Sequence, residues 1–315
     1  MRIIQIASID DSRLEPYRNQ RDQWLRARHN PDRQPGTDPL PGRFMAEGAL
    51  VVEQLLASTL EVESVLASTV SIDKHGPMLK VGLEAGLAKG PGIPIYVCEP
   101  GAMDAIAGFH VHRGLLAVGL RPKPADPAQL AQAARLAVVM EDLTNHDNVG
   151  GIFRSLAALG GPGSAAFVTA RTCDPFYRKA LRVSMGHVLS VPHAEIPPLA
   201  PSKKATAAGT TPARTPPVSG LDLLEAAGMT PIALTPSERA IDVADLGTID
   251  RPALLVGSEG PGLHPRTLER CRLHVRIPIA SSVDSLNVTV AASIALDRLR
   301  LKATHAGNKS PRPGV

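Results

Sequence analysis

Short runs of consecutive apolar residues alternate with helical spacing through the second half of the chain. Runs at 136–140, 165–169, 230–234, 253–256 and 273–277 read as strands buried on both faces. Helical patterns at 149–159, 176–184, 221–227, 265–271 and 285–301 follow or intervene. Such alternation predicts a parallel sheet covered on both sides, the α/β class. The first half is a smaller version of the same design. Val51, Val52, Leu55 and Leu56 give a helical stripe within 47–56, strands are read at 62–66, 93–97 and 115–120, and helical pieces lie near 78–88 and 102–107.

Four stretches fall outside this pattern. Residues 1–41 are polar and rich in Arg, Asp and Pro, with a weak strand signal at 3–7, and read as an N-terminal extension. Residues 121–127 hold three prolines, which fix φ and remove donors, so neither helix nor central strand runs through them. They divide a small domain, 42–120, from a larger one, 128–303. The Pro-, Ala-, Thr-, Ser- and Lys-rich stretch 197–217 has too little apolar surface to order itself and reads as a disordered insertion. The tail 304–315 is similar.

A length of 315 residues suits two ordinary domains. The formal charge of +4 tilts the chain toward an anionic partner, while aromatics at 3% argue against recognition by base stacking alone. Cys98, Cys173 and Cys271 form no pair at short spacing, which points to a reducing compartment. The first residues have no long apolar run, and no stretch reaches the ~20 apolar residues of a membrane span, so a cytoplasmic protein is expected.

Three polar blocks sit where apolar runs end, the usual place for ligand sites in α/β sheets. The first is Asn145-His146-Asp147-Asn148-Val149-Gly150-Gly151-Ile152-Phe153-Arg154. Asp147 and Asn148 suit a helix cap, and Val149, Ile152, Phe153 and Leu156 make an apolar stripe that leaves Arg154 outside. If the helix starts there, Arg154 lies near its positive end and wants an anion beside it; a solvated surface arginine is the plain alternative. Gly150 and Gly151 cost about 1 kcal/mol each relative to Ala in a helix, a cost accepted for close approach to a ligand or for tight packing on the sheet. The second block is Gly257-Ser258-Glu259-Gly260-Pro261-Gly262, a tight loop that is neither GxGxxG nor a P-loop. The third joins Ile277-Pro278 to Ser285-Leu286-Asn287-Val288, where Ser285 suits the N-cap of a final helix that is apolar almost all round.

In order and spacing these blocks resemble the SpoU-type RNA ribose 2′-O-methyltransferases of the SPOUT superfamily. The stretch Phe176-Tyr177-Arg178-Lys179-Ala180 through Arg182-Val183-Ser184-Met185-Gly186 resembles the family's middle segment. Phe44-Met45-Ala46-Glu47-Gly48 and Gly114-Leu115-Leu116-Ala117 resemble, more loosely, its small α/β RNA-binding domain. The resemblance implies a parallel sheet with a C-terminal trefoil knot, a homodimer, and S-adenosylmethionine held in the knot's loops by backbone near Leu234, Gly257, Gly260, Gly262, Ile277 and Leu286. It implies that Asn148 lies near the target nucleotide and that Arg154 activates the ribose 2′-hydroxyl. It also assigns Glu259, Ser285 and Asn287 to the catalytic set, Glu259 ordering its loop or bonding the RNA or Arg154. A guanidinium is a poor base, so Arg154 is read as orienting the hydroxyl and stabilising developing charge, with a phosphate-assisted deprotonated arginine as the alternative. The RNA is ribosomal or transfer RNA, and no metal is required.

Other chemistry is weaker. His110 and His112 lack a third ligand at a usual spacing, and Ser184 with His187 lacks the GxSxG elbow of a hydrolase. A Rossmann enzyme would need GxGxxG after its first strand. A non-catalytic RNA-binding protein on the same scaffold would be expected to have lost Arg154, Glu259, Ser285 or Asn287, and all four are present.

Overall fold

The structure, a computed structural model, describes residues 2–27, 42–84, 92–109, 111, 114–200 and 219–303. Most of the insertion, the tail 304–315, and His110 and His112 lie outside the described residues. In chain order the elements are β1 (Arg2–Gln5), α1 (Asp22–Ala27), β2 (Arg43–Glu47), α2 (Ala49–Ala57), β3 (Val62–Ser68), α3 (Thr69–Glu84), β4 (Pro94–Cys98), α4 (Pro100–Ala107) and β5 (Leu115–Leu120). There follow α5 (Pro127–Ala133), β6 (Leu136–Met140), α6 (His146–Leu159), β7 (Ser164–Val168), α7 (Arg178–Val183), β8 (His193–Glu195), α8 (Gly220–Ala226) and β9 (Thr230–Leu234). The last are β10 (Ile241–Asp242), β11 (Pro252–Val256), α9 (Pro265–Arg270), β12 (Leu273–Arg276) and α10 (Val288–Ala303).

These elements form two compact units. One is Met1–Lys123 together with Asp174–Ser190, and the other is Pro124–Cys173 with Val191–Val315. The first is built on a mixed sheet of order β1-β4-β3-β5-β2. Residues 2–27 differ from the expected extension. β1 pairs in parallel with β4, and Leu14, Tyr17 and Leu25 are buried in the core with Met45, Leu66 and Leu116. The Tyr17 hydroxyl is 2.7 Å from Ser64 Oγ, and burial pushes its pKa well up. Three widely spaced apolar residues among many charges give no periodic signal, so their burial was not legible locally. Asp174–Ser190 likewise joins this unit: Phe176 packs on Phe44, and Asp174 accepts a two-pronged bond from Arg121.

The second unit is a seven-stranded sheet of order β10-β12-β9-β11-β6-β7-β8, with every pairing parallel. Its central strands are fully buried, as their unbroken apolar runs require. One face packs Ala131, Ala134, Leu221 and Leu224 against Val139, Phe167 and Leu255.

Candidate functional site

Because the second sheet is wholly parallel, every loop after a strand opens at the same edge. From β6 the chain steps outward to β7 and β8, crosses to form β9 and β10, and then inserts β11 between β9 and β6 and β12 between β10 and β9. The reversal makes the β6 and β11 ends a switch point, where ligands bind in open α/β sheets. The register brings these ends level: Met140 is opposite Val256, and Leu234 is opposite Val275. The Thr235 N–H donates to Val275 O at 3.0 Å, closing the end of β9 on β12.

The first block starts its helix earlier than expected. Asn145 is the N-cap, its side chain accepting from the Asp147 N–H at 2.9 Å, so Asp147 and Asn148 lie inside the first turn. Asn148 is 3% exposed, and its amide is bonded on both sides. Nδ2 donates to Glu259 Oε1, while Oδ1 accepts from Asn287 Nδ2 at 3.0 Å. Asn287 Oδ1 in turn accepts the Thr289 and Val290 N–H groups at 2.9 and 3.4 Å. Three separate segments are thereby joined in one hydrogen-bond chain, with every donor pointing toward Glu259. Such chains polarise in one direction, here from the start of α10 to the carboxylate. Glu259 is exposed, and among the described residues its second oxygen has no partner.

Asn287, not Ser285, serves the final helix. α10 begins at Val288 and takes its side-chain cap from Asn287. Ser285 lies exposed two residues earlier, because 277–287 remains non-helical after Pro278. Leu286 is 37% exposed and Val290 48%, so the start of α10 presents apolar surface rather than burying it, while Ala292, Ala295, Leu296 and Leu299 face the core.

Arg154 stands apart from the chain of amides. From Asn148 it is six residues on, about 120° round the helix. With α6 starting at His146, Arg154 is about two turns in, beyond the reach of the helix-end dipole, so the expected electrostatic tension at a helix start does not apply. It is exposed and, among the described residues, has no hydrogen bond or ion pair.

Gly151 has a packing reason. A Cβ there would meet Thr289 Cγ2 at 2.6 Å, so the missing side chain admits the final helix, rather than the sheet, against α6. The Thr289 hydroxyl lies 3.3 Å from both Asn148 O and Oδ1. Sequence reasoning passed over Thr289, since a threonine in the first turn of a helix is ordinary; only the pairing with Gly151 marks it.

The glycine loop folds back on itself. Gly262 N–H donates to Ser258 O at 2.9 Å, and a Cβ on Gly257 would collide with the Gly262 and Leu263 backbone. Gly260 and Gly262 adopt φ of +83° and +70°, which other residues reach only with strain. Of the positions assigned to a cofactor, Leu234, Gly257 and Ile277 therefore sit at the ends of the neighbouring strands β9, β11 and β12. Gly260 and Gly262 lie exposed in the loop, and Leu286 lies in the segment before α10.

Residues 135–297 match the SpoU rRNA Methylase family. An uncharacterized tRNA/rRNA methyltransferase of Mycobacterium tuberculosis is 33% identical over 308 residues, 95% of this chain and 92% of its own length. The crystal structure of an AdoMet-bound rRNA methyltransferase from Sinorhizobium meliloti aligns over 95% of this chain and 98% of its own at a TM-score of 0.67 and 20% identity. A protein solved as an RNA 2′-O ribose methyltransferase aligns over 95% and 99% at a TM-score of 0.63 and 21% identity. At those identities the two solved structures show a common fold. Family match and near full-length relatives together place the chain: it belongs to the SpoU rRNA methylase family.

Proposed function

We propose that the protein is an S-adenosylmethionine-dependent methyltransferase that methylates a ribose 2′-hydroxyl in ribosomal or transfer RNA. The observation that carries this reading is the joining of Asn148, Glu259 and Asn287 by hydrogen bonds at the sheet edge. Family membership, the tRNA/rRNA methyltransferase relatives and the AdoMet-bound fold neighbour support it.

The strand ends suit S-adenosylmethionine. They offer exposed backbone at Gly260 and Gly262, in the loop that leaves the buried Gly257, and exposed apolar side chains at Val283 and Leu286 for a purine. When bound, the cofactor supplies an electrophilic methyl on a sulfonium. The protein's part is to hold the hydroxyl in line and stabilise the charge that develops on its oxygen. In this reading Arg154, exposed and unpaired, takes the ribose hydroxyl or an adjacent phosphate. Asn148 is already bonded on both sides of its amide, so it acts by holding Glu259 and Asn287 in place beside the target nucleotide. The free oxygen of Glu259 accepts a hydrogen bond from the RNA. Ser285, exposed and not needed as a cap, is available to the substrate.

The trefoil knot and the homodimer belong to the same proposal. The insertion of β11 and β12 between earlier strands, and the exposed apolar residues at the start of α10, support them. The experiment is a calorimetric titration of the full chain with S-adenosylmethionine, followed by transfer of labelled methyl to unfractionated RNA. Cofactor binding with incorporation is expected. RNA binding without either would favour the non-catalytic alternative.

A further inference from the structure

Glu141, the first residue past β6, is 7% exposed, and no step above uses it. A carboxylate withdrawn from water is costly unless both oxygens are bonded, and here both are. Oε2 accepts the His264 N–H at 2.8 Å, and Oε1 accepts the Thr267 hydroxyl at 2.6 Å. Thr267 is itself fully buried. The backbone N–H of Glu141 donates to Val256 O at 2.8 Å.

The sequence positions of these partners give the arrangement its meaning. Val256 ends β11 immediately before the glycine loop, and His264 follows the loop as the N-cap of α9. Glu141 is thus bonded just before and just after 257–263. An ordinary helix cap does not account for it, because the His264 side chain already caps α9, accepting from the Arg266 N–H at 3.2 Å. Within the loop, the Ser258–Gly262 closure holds the middle, while Gly260 and Gly262, both at positive φ, are intrinsically permissive residues, so fixing the loop's ends restricts the conformations the arch can adopt. The tip of that arch is Glu259, which meets Asn148.

We propose that Glu141 is a positioning residue of the methyl-transfer site: its side chain ties the far end of the glycine loop, at His264 and Thr267, to the end of β6, whose backbone already holds the near end at Val256, and so sets Glu259 against Asn148 and holds the loop backbone at the cofactor edge. The proposal rests on the functional reading above for its catalytic consequence, but not for the clamp itself.

Hydrogen exchange of the full chain, without cofactor or RNA, measures the clamp. In Glu141→Ala, amides in 257–263 should exchange at least about tenfold faster, while those of β7 and α5 keep their protection. Glu141→Gln should restore loop protection, since its amide oxygen can accept the His264 N–H and its NH2 can donate to the Thr267 hydroxyl. Methyl transfer at saturating cofactor and RNA should follow the same order: reduced about tenfold in Glu141→Ala and largely rescued in Glu141→Gln. If the alanine variant does not fold, Glu141→Asp replaces it, a carboxylate one methylene short of His264 and Thr267. Unchanged loop exchange, or protection lost equally across the second unit, overturns the proposal. So does a glutamine variant as impaired as alanine. Failure of the wild-type chain to bind S-adenosylmethionine would instead sink the functional reading and leave the exchange result standing.

Discussion

Arg251 and Arg154 belong to the same unit and are used in opposite ways. Arg251 lies at the N-terminal end of β11, and its guanidinium donates to the carbonyls of Ala131, Gln132, Ala134 and Ala227. Those carbonyls close α5 and α8, where a cation also meets the negative ends of two helix dipoles. Arg154, on the helix that follows β6, is exposed and has no partner among the described residues. One arginine has its donors occupied by the fold, and the other leaves them to solvent or substrate. The difference separates an arginine whose donors the fold uses to close two helices from one whose donors it leaves open.

Removing each side chain should therefore harm a different property. The largest effect belongs to Arg154→Ala: methyl transfer in single turnover should fall a hundredfold or more, roughly 3 kcal/mol for one lost transition-state donor, with Tm and cofactor affinity unchanged. Arg154→Lys should recover only part, since an ammonium lacks the planar fork. Equal loss of cofactor binding would show that the residue acts on the fold or the cofactor instead.

Arg251→Ala should reverse the pattern. Four carbonyls lose their donor, and unfolding in urea should show a loss of about 2–3 kcal/mol, while turnover of the molecules that remain folded stays close to wild type. A variant as stable as wild type would contradict the role given to this guanidinium.

A smaller effect is expected at Gly151→Ala, where the new Cβ meets Thr289. Overpacking between α6 and α10 should cost about 1–2 kcal/mol, and it should lower turnover as well, because Thr289 also touches Asn148. Loss of stability with full turnover would mean that the Asn148 chain tolerates the shift.

The smallest lies at the other end of α8 from Arg251. Asp222 bonds Arg270 and the Ser219 cap, which hold its carboxyl well below the usual carboxylate range. A depressed folded-state pKa stabilises above the unfolded value of about 4 and ceases to do so as pH falls toward the folded one. Wild type and Asp222→Asn should thus differ by a constant amount from pH 7 to 5 and converge below pH 4 in Tm scans. The gap should stay under about 1 kcal/mol for so exposed a pair. A gap that widens on acidification would contradict the assignment.

The same division explains what was legible in the sequence. Strands buried on both faces announce themselves as unbroken apolar runs, and those at Leu136–Met140 and Pro252–Val256 end where the runs end. Polar site residues are legible only when a spacing marks them. Asn148, Glu259 and Asn287 stood out through their motif, and the fold joins them. Ser285 shared that motif, but Asn287 takes the capping role and leaves it solvent-exposed. Glu141 and Arg251 were passed over because a lone acid or base beside a strand looks like any loop residue, and its value comes from partners more than a hundred positions away or spread over two helices. The joining of residues 2–27 and 174–190 to the first unit is a long-range choice of the same kind.

Product identity tests the central claim most directly. RNA methylated by the full chain with labelled S-adenosylmethionine would be digested to nucleosides and analysed by mass spectrometry. Ribose 2′-O-methyl nucleosides carrying the label are predicted. Label on a base, or no label from a chain shown to bind both cofactor and RNA, would contradict the account.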